Sequence, residues 1–433
     1  MPSTKAKKAI AAVVIAVAII NAAVLLRVFG VGAGGHPKKT DLGVRYKLPV
    51  GEGNPAIGLG SGHGVILASD GSLWVWGEST DGWPVLGLGN IANQTSLRRV
   101  GKETNWVSIA VGMQHNLAIK SDGTIWGWGQ NIYGQLGDGT SGKASRARNT
   151  PVPSVPGNDW KQAAVGGSHS VAVKKDGTLW AWGNNWAGQL GVGRTNRENP
   201  QAIQVGTATN WVKVWAGLLE TVAMQTDGTL WYWGENPDPA IPQTGPAASN
   251  IFSPTLVSAE TNWADVGFGP WTVLATKTDG TLWAWGRQAD VYTGAQTRTR
   301  NATPTQVGTN NDWRALSGFS WLYHLLSRKD GSLAALTAPI PKPLQVIPIP
   351  MRKEIAAFAA VGSERPVVVV LTREGEVWTW GRILGETIPA KPGLQSLARF
   401  ARRFHIQADW GERKPVFRDE RWLLPNIDPE AKP

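Results

Sequence analysis

Three of the six histidines in this 433-residue chain, His63, His115 and His169, recur at near-equal spacing. Each stands seven residues before an acidic residue, respectively Asp70, Asp122 and Asp176. Imidazoles and carboxylates at a fixed offset are the residue types of metal ligation and general acid–base chemistry. The series does not keep those types, however. Its corresponding positions hold Glu220, Thr272, Tyr323 and Val367. A role that accepts such replacements is a hydrogen-bonding or packing role, and a metal site shared by the three histidines is the alternative. The acidic residues precede Gly, which turn formation explains better than proton transfer. No Cys is present. No Gly-rich stretch has the Lys of a phosphate loop. The reading is of a chain with no catalytic residue, no metal and no cofactor.

The elements around these residues are copies of one unit. SDGTIWGWGQNIYGQLGDG from Ser121 to Gly139 returns as KDGTLWAWGNNWAGQLGVG from Lys175 to Gly193. The turn acids Asp70, Asp122, Asp176, Asp227, Asp279, Asp330 and Glu374 follow one another at 52, 54, 51, 52, 51 and 44 residues. A period of that size marks a repeat architecture. Within each unit, runs of five or six alternating β-branched and aromatic residues read as strands, and Asp-Gly between two runs is a hairpin signal. A weaker fourth strand begins near Pro and ends in Val, as in Pro151–Val155, Pro200–Val205, Pro254–Val257 and Pro304–Val307. Pro there suits a strand that needs few ladder donors. The sum is an all-β, seven-bladed β-propeller of four-stranded blades over residues 43–390. Val44–Val50 is expected to supply the outer strand that closes the seventh blade.

Trp-x-Trp recurs at Trp74/Trp76, Trp126/Trp128, Trp180/Trp182, Trp231/Trp233, Trp283/Trp285 and Trp378/Trp380. Two residues apart on a strand, both rings share one face and fill the space between blades. Trp106, Trp160, Trp211, Trp263 and Trp313 read as packing residues too. Unit six departs: Ala334 and Leu336 replace its Trp pair, and a Pro-rich run (Pro339 to Pro350) replaces its loop.

DG[ST]LWxWG, followed in two units by NxxGQLG, with Gly-x-x-His or Gly-His one strand earlier, resembles the repeats of the regulator-of-chromosome-condensation family. The resemblance covers roughly residues 43 to 385. It implies a seven-bladed propeller. The family includes a chromatin-bound guanine nucleotide exchange factor for a small GTPase. It also includes secreted bacterial members, one of them a propeller-type inhibitor of β-lactamases, and the Trp-dense form here resembles the bacterial kind.

The formal charge of +11 belongs to the ends. Residues 1–47 carry 8 Lys/Arg against 1 acid, and residues 391–433 carry 9 against 6, so the repeats are nearly neutral. That argues against nucleic acid, which needs a basic face on the binding domain. Residues 1–8 form a basic amino terminus, and 9–29 are long and apolar enough for a transmembrane signal anchor. Residues 30–42 read as a linker. Lys5, Lys7 and Lys8 keep the amino terminus cytoplasmic, which places the propeller on the exported, periplasmic or extracellular, side of a cell membrane. A cleaved signal peptide is the competing reading. Residues 391–433 form a basic tail with a short helix from Leu394 to Phe404 that packs on the propeller or lies on the membrane.

Antiparallel blades put the loops after the first and third strands on one face and the Asp-Gly turns on the other. The first face gathers Leu218, Leu219, Trp271, Phe319 and Trp321, with Trp83, Tyr133 and Trp186 from the third loops. Aromatic and apolar residues on one rim mark an interface. The expected function is a monomeric, non-enzymatic, membrane-anchored module that presents this face to an envelope protein. The alternatives are a glycan partner, an exchange-factor-like regulator of a small GTPase, and a hydrolytic propeller.

Overall fold

A computed structural model describes residues 46–380 except 80–82, 90–92, 144–146, 236–249, 270–271, 287–300, 319–322, 338–344, 350–352 and 362–366. The expected amino-terminal anchor and linker, and the carboxy-terminal tail with its expected helix, lie outside the described residues. Among the described residues no helix is long and apolar enough to cross a membrane.

The described chain forms seven antiparallel four-stranded sheets, each with its strands in sequence order except the last. Blade 2 is representative: Trp106–Val111, His115–Lys120, Ile125–Gln130 and Ala147–Pro153. The first strands of successive blades touch one another, so they ring the axis, and the fourth strands lie outermost. The seventh blade takes three strands from Ile355–Val361, Val367–Thr372 and Glu376–Trp380. Its outer strand is Tyr46–Lys47, from the start of the described chain, paired with Val377 and Glu376. That is the expected closure, and it ties both ends of the circle into one sheet. Leu48 follows into the joint as part of a buried cluster with Val369, Leu371 and Val377.

The Asp-Gly turns form as the sequence requires. Gly123 has φ of +82°, a conformation that costs a residue with a Cβ but not glycine. Asp122 Oδ1 accepts from the Thr124 N–H at 2.9 Å and its hydroxyl at 2.7 Å. These bonds hold the Asp122 carboxyl below its usual range. The Thr124 hydroxyl in turn accepts the Trp126 indole N–H at 3.1 Å. The same chain of bonds recurs at Asp176, Asp227 and Asp279, so the turn acids act as pins.

The two rings of each Trp pair share a face but not an environment. The second ring, Trp128, Trp182, Trp233 or Trp285, is fully buried, whereas the first is half-buried. The Trp that opens the first strand meets both. In blade 3, Trp160 lies 6.4 Å from Trp180 and 6.2 Å from Trp182, edge to face.

The fourth strands differ from the expected bounds. In blades 2, 4 and 5 they start at Ala147, Asn250 and Asn301, three or four residues before the Pro. The register explains this. Gly127 pairs with Val152 but Gly129 with Arg148, so Pro151 falls in a bulge opposite Trp128. Pro254 and Pro304 fall in the same place. There the ladder asks for no donor, and Pro is tolerated. Blade 6 has lost the second Trp and pairs without a bulge, Leu333 with Ile349 through Thr337 with Gln345. Its fourth strand lies within the Pro-rich run.

Candidate partner-binding face

The NxxGQLG loop is a rigid staple between blades. Asn131 Oδ1 accepts the Leu136 N–H at 3.0 Å, and Gln135 Oε1 accepts the Tyr133 N–H at 2.9 Å, so the motif's two amides hold the loop on itself. The Gln135 carbonyl faces the next blade, where it accepts the Trp182 indole N–H at 2.9 Å and the Ser170 hydroxyl at 2.7 Å. A Cβ on Gly137 would meet the Trp182 indole nitrogen at 2.8 Å, so the loop seats only with glycine there. Gln189 repeats the arrangement toward Trp233 and Thr221. Blade 1 lacks the motif's letters yet does the same: the Val85 carbonyl accepts from Trp128 and from Asn116. A backbone carbonyl carries the contact, so the side chain at that position is free to vary.

The histidines complete these junctions. His63 Nε2 lies 2.8 Å from Asn116 Oδ1, His115 Nε2 3.0 Å from Ser170 Oγ, and His169 Nε2 3.0 Å from Thr221 Oγ1, each reaching into the following blade. All three are buried. Burial disfavours the imidazolium and lowers their pKa values to about 4, 3 and 3, with like-charge neighbours adding to the effect at His115. Close packing fixes the glycine before each loop: a Cβ on Gly166 would stand 2.2 Å from His169 Cε1 and 2.3 Å from the Gly217 carbonyl. Among the described residues no group of three His, Cys, Asp or Glu is placed to hold a metal.

Glu220 occupies the same position in blade 4, and the next unit has Val273 at the repeat position that holds Asn116, Ser170 and Thr221 in the earlier junctions. The carboxyl turns back and accepts the Leu219 N–H at 2.9 Å. Burial, then the charge of Glu235, push its pKa up to about 8. Deeper along the axis, a second set of bridges runs from the bulge two residues after each opening Trp. The Gln162 amide bonds both the N–H and the carbonyl of Val214, at 3.1 and 2.9 Å. Lys213 Nζ donates to the Ala264 carbonyl at 3.1 Å. Asp265 accepts the Trp215 indole at 3.1 Å and the Leu316 N–H at 2.9 Å. Burial pushes the Asp265 carboxyl up, against those hydrogen bonds. None of these axial residues was legible as a site from sequence. The signal available was a polar residue at the same offset from the opening Trp in three consecutive units.

The first loops of blades 1–4 surround an opening at the axis. Leu59, Met113, Val165 and Leu218 line it, with glycines between them. Each first loop is tied to the start of its blade's third loop, as in Asn184 N–H to the Ser168 carbonyl at 2.9 Å. Both loop sets therefore lie on one face, as the strand parity requires. Leu218 lines the opening, and Leu219 is half-buried beside it. Among the described residues Trp186 is the exposed large aromatic on this face, 42% accessible at the tip of the blade 3 loop. Trp83 is half-buried. Tyr133 is half-buried with the Arg197 guanidinium over its ring at 5.8 Å. Trp271, Phe319 and Trp321 lie outside the described residues.

The circle of four-stranded blades closed by its own leading strand makes this a β-propeller. The chain carries regulator-of-chromosome-condensation repeats: the model described as "Regulator of chromosome condensation (RCC1) repeat" matches residues 122–173 and 176–224, and a second of that description matches 106–135 and 160–189. The chain is similar to the ultraviolet-B receptor UVR8 of Arabidopsis thaliana, 34% identical over 41% of this chain and 40% of the receptor. It is also similar to the mitochondrial RCC1 domain-containing protein RUG3 of the same plant, 30% identical over 46% of this chain and 47% of RUG3. The human probable E3 ubiquitin-protein ligase HERC6 is 30% identical over 42% of this chain and 18% of the ligase. The chain thus spans less than half the length of the curated relatives it matches. Among solved structures, human WBSCR16 superimposes with a TM-score of 0.57 at 20% identity, covering 72% of this chain and 88% of that one. Prp20p of Saccharomyces cerevisiae gives 0.51 at 18%, covering 80% and 70%. At these identities the likeness is one of fold.

Proposed function

We propose that this propeller is a non-enzymatic binding module that presents its loop face to a protein partner in the cell envelope, anchored through residues 9–29. The observation that supports it most is the apolar axial opening lined by Leu59, Met113 and Leu218, on the same face as the exposed Trp186. Partially desolvated apolar concavities flanked by Trp are where protein interfaces concentrate their affinity. The carboxyls of Asp122, Asp176, Asp227 and Asp279 hold turns and the imidazoles of His63, His115 and His169 hold junctions, a structural role. The proposal includes Trp271, Phe319 and Trp321, which the sequence pattern assigns to the same loop set.

The test is affinity capture from detergent-solubilised envelope with full-length protein, beside a Trp186→Ala/Leu218→Ala variant and a Trp271→Ala/Trp321→Ala variant. A partner held by the wild type and lost by either folded variant supports the reading and locates the contact. Equal retention by all three removes the loop face from consideration. For the anchor, a chain lacking residues 1–42 should leave the membrane fraction while the full chain resists carbonate extraction; co-fractionation of both would sink the anchoring.

A further inference from the structure

In blades 2 to 5 the residue ending the second strand lies directly across from the Trp that opens the first. Lys120 pairs with Trp106, Lys174 with Trp160, Gln225 with Trp211 and Lys277 with Trp263. In blades 2, 3 and 5 the Lys ammonium rests in a notch between that Trp and the first ring of the Trp pair. Its nitrogen lies 4.8 and 3.9 Å from the two centroids in blade 2, 4.8 and 5.2 Å in blade 3, and 4.8 and 3.5 Å in blade 5. An acid just before the first strand bonds each ammonium: Glu103 at 3.9 Å, Asp159 at 3.2 Å and Glu260 at 2.7 Å.

Blade 4 builds the same notch without the cation. Trp211 and Trp231 stand 6.0 Å apart at 81°, against 6.1 Å and 87° in blade 2 and 6.1 Å and 78° in blade 5. Thr229 orients the Trp231 ring at 3.0 Å as its counterparts do elsewhere. The Lys is Gln225, and Ala208 and Asn210 stand where the other blades place their acid. Trp211 is buried at the back of the notch, and Trp231 and Gln225, both half-buried, form its surface edge on the Asp-Gly side. Among the described residues no hydrogen bond or ion pair holds the Gln225 side chain.

We propose that the Trp211–Trp231 notch binds an alkylated ammonium group carried by a protein partner, the side chain of a methylated lysine. The three sister notches show that indoles at this angle accept a positive charge on their faces, an attraction between cation and ring quadrupole. A primary ammonium brings three N–H donors that need acceptors, and the sister notches provide a carboxylate for them. Blade 4 provides none. A trimethylammonium has no N–H to satisfy and needs only the rings and apolar contact. The unanchored Gln225 side chain swings aside for it. This site is on the face opposite the axial opening, and it stands or falls independently of the loop-face reading.

The test follows tryptophan indole N–H signals of the intact, isotope-labelled protein, with Trp231 assigned through Trp231→Phe. Three probes are titrated: a trimethyllysine peptide, choline, and the neutral tert-butyl isostere of choline. The peptide should shift the Trp211 and Trp231 signals saturably, with a Kd on the order of 1–10 mM, and the neutral isostere should not. The variant Gln225→Lys with Ala208→Glu installs the ammonium and carboxylate of the sister blades. It should bind the peptide at least about tenfold more weakly, with its other indole signals unmoved. Absence of a peptide shift in the wild type overturns the proposal. So do equal shifts from the neutral isostere, or equal binding by the double variant. Choline binding without peptide binding overturns the methyl-lysine source.

Discussion

The junctions on one side of the circle are fastened at the loop rim, and those on the other along the axis. Between blades 1 and 4, His63, His115 and His169 bond the next blade's Asn116, Ser170 and Thr221 beneath the loop carbonyls. Between blades 3 and 6, Gln162, Lys213 and Asp265 reach the next blade's first strand instead. Among the described residues, only the junction of blades 3 and 4 has both. At the junction of blades 4 and 5 the equivalent repeat position holds Val273, which has no polar side-chain group, and the Glu220 carboxyl accepts the Leu219 N–H of its own loop. The difference teaches that neighbouring blades can be bridged by buried polar groups at either level, by whichever residues are at hand, while the apolar wedge between blades is kept.

The comparison can be broken most sharply at the tryptophans. Trp182→Ala removes a fully buried ring and leaves the Gln135 carbonyl with one donor fewer, which should cost about 3–5 kcal/mol. Trp180→Ala, on the half-buried partner, should cost roughly half as much. Urea unfolding of the two variants checks the order. Equal losses would mean that the inner ring does not carry the junction.

Asp265→Ala strands the Leu316 N–H and the Trp215 indole and should cost about 1–3 kcal/mol. Asp265→Asn keeps an acceptor and should recover part of that loss. If Asp265→Ala is neutral in urea unfolding, the axial bridges contribute nothing and the two sides differ less than their geometry suggests.

At one repeat position the two sides should respond oppositely to pH. The relay histidines, held at about 3 to 4 in the fold and near 6.5 when unfolded, bind protons only on unfolding. Stability should therefore fall as pH drops below about 6.5, and His115→Gln should flatten part of that limb. Glu220, at about 8 in the fold against 4.5 unfolded, holds its proton in the fold and releases it on unfolding. Its contribution is whole below pH 4.5 and is lost as pH rises through 8, so Glu220→Gln should stabilise the protein above about pH 8 and change little below 4.5. Thermal unfolding across pH decides both, and parallel profiles for the two variants would remove the contrast.

The smallest expected effect is that of Trp186→Ala on stability, within about 0.5 kcal/mol, because its ring touches solvent more than core. A larger loss would show that Trp186 packs, and would weaken it as a partner anchor.

Much of this molecule was legible from its residues. Asp-Gly before LWxWG announced a hairpin, and the period announced seven blades. The closing strand followed from seven units and a surplus strand at Val44–Val50. The loop face followed from strand parity. The Pro that precedes each fourth-strand Val was less informative, because Pro151, Pro254 and Pro304 mark bulges inside their strands rather than strand starts. Periodicity places a residue in a strand but not its register against a neighbour fifty residues away in pattern and adjacent in space.

Local rules therefore determined the repeat, its turns and the burial of its aromatic stripe, because φ/ψ demands and alternating apolar faces are properties of short segments. Only the closed circle decided what the repeated polar residues do. His115 meets Ser170, Gln135 meets Trp182, and Asp265 meets Leu316 across blade boundaries some fifty residues apart. Whether a buried imidazole or carboxyl finds a partner depends on the blade beside it. So Glu220 and His169, at equivalent places in one repeat, are both kept uncharged by burial, but His169 bonds the next blade while Glu220 bonds its own loop.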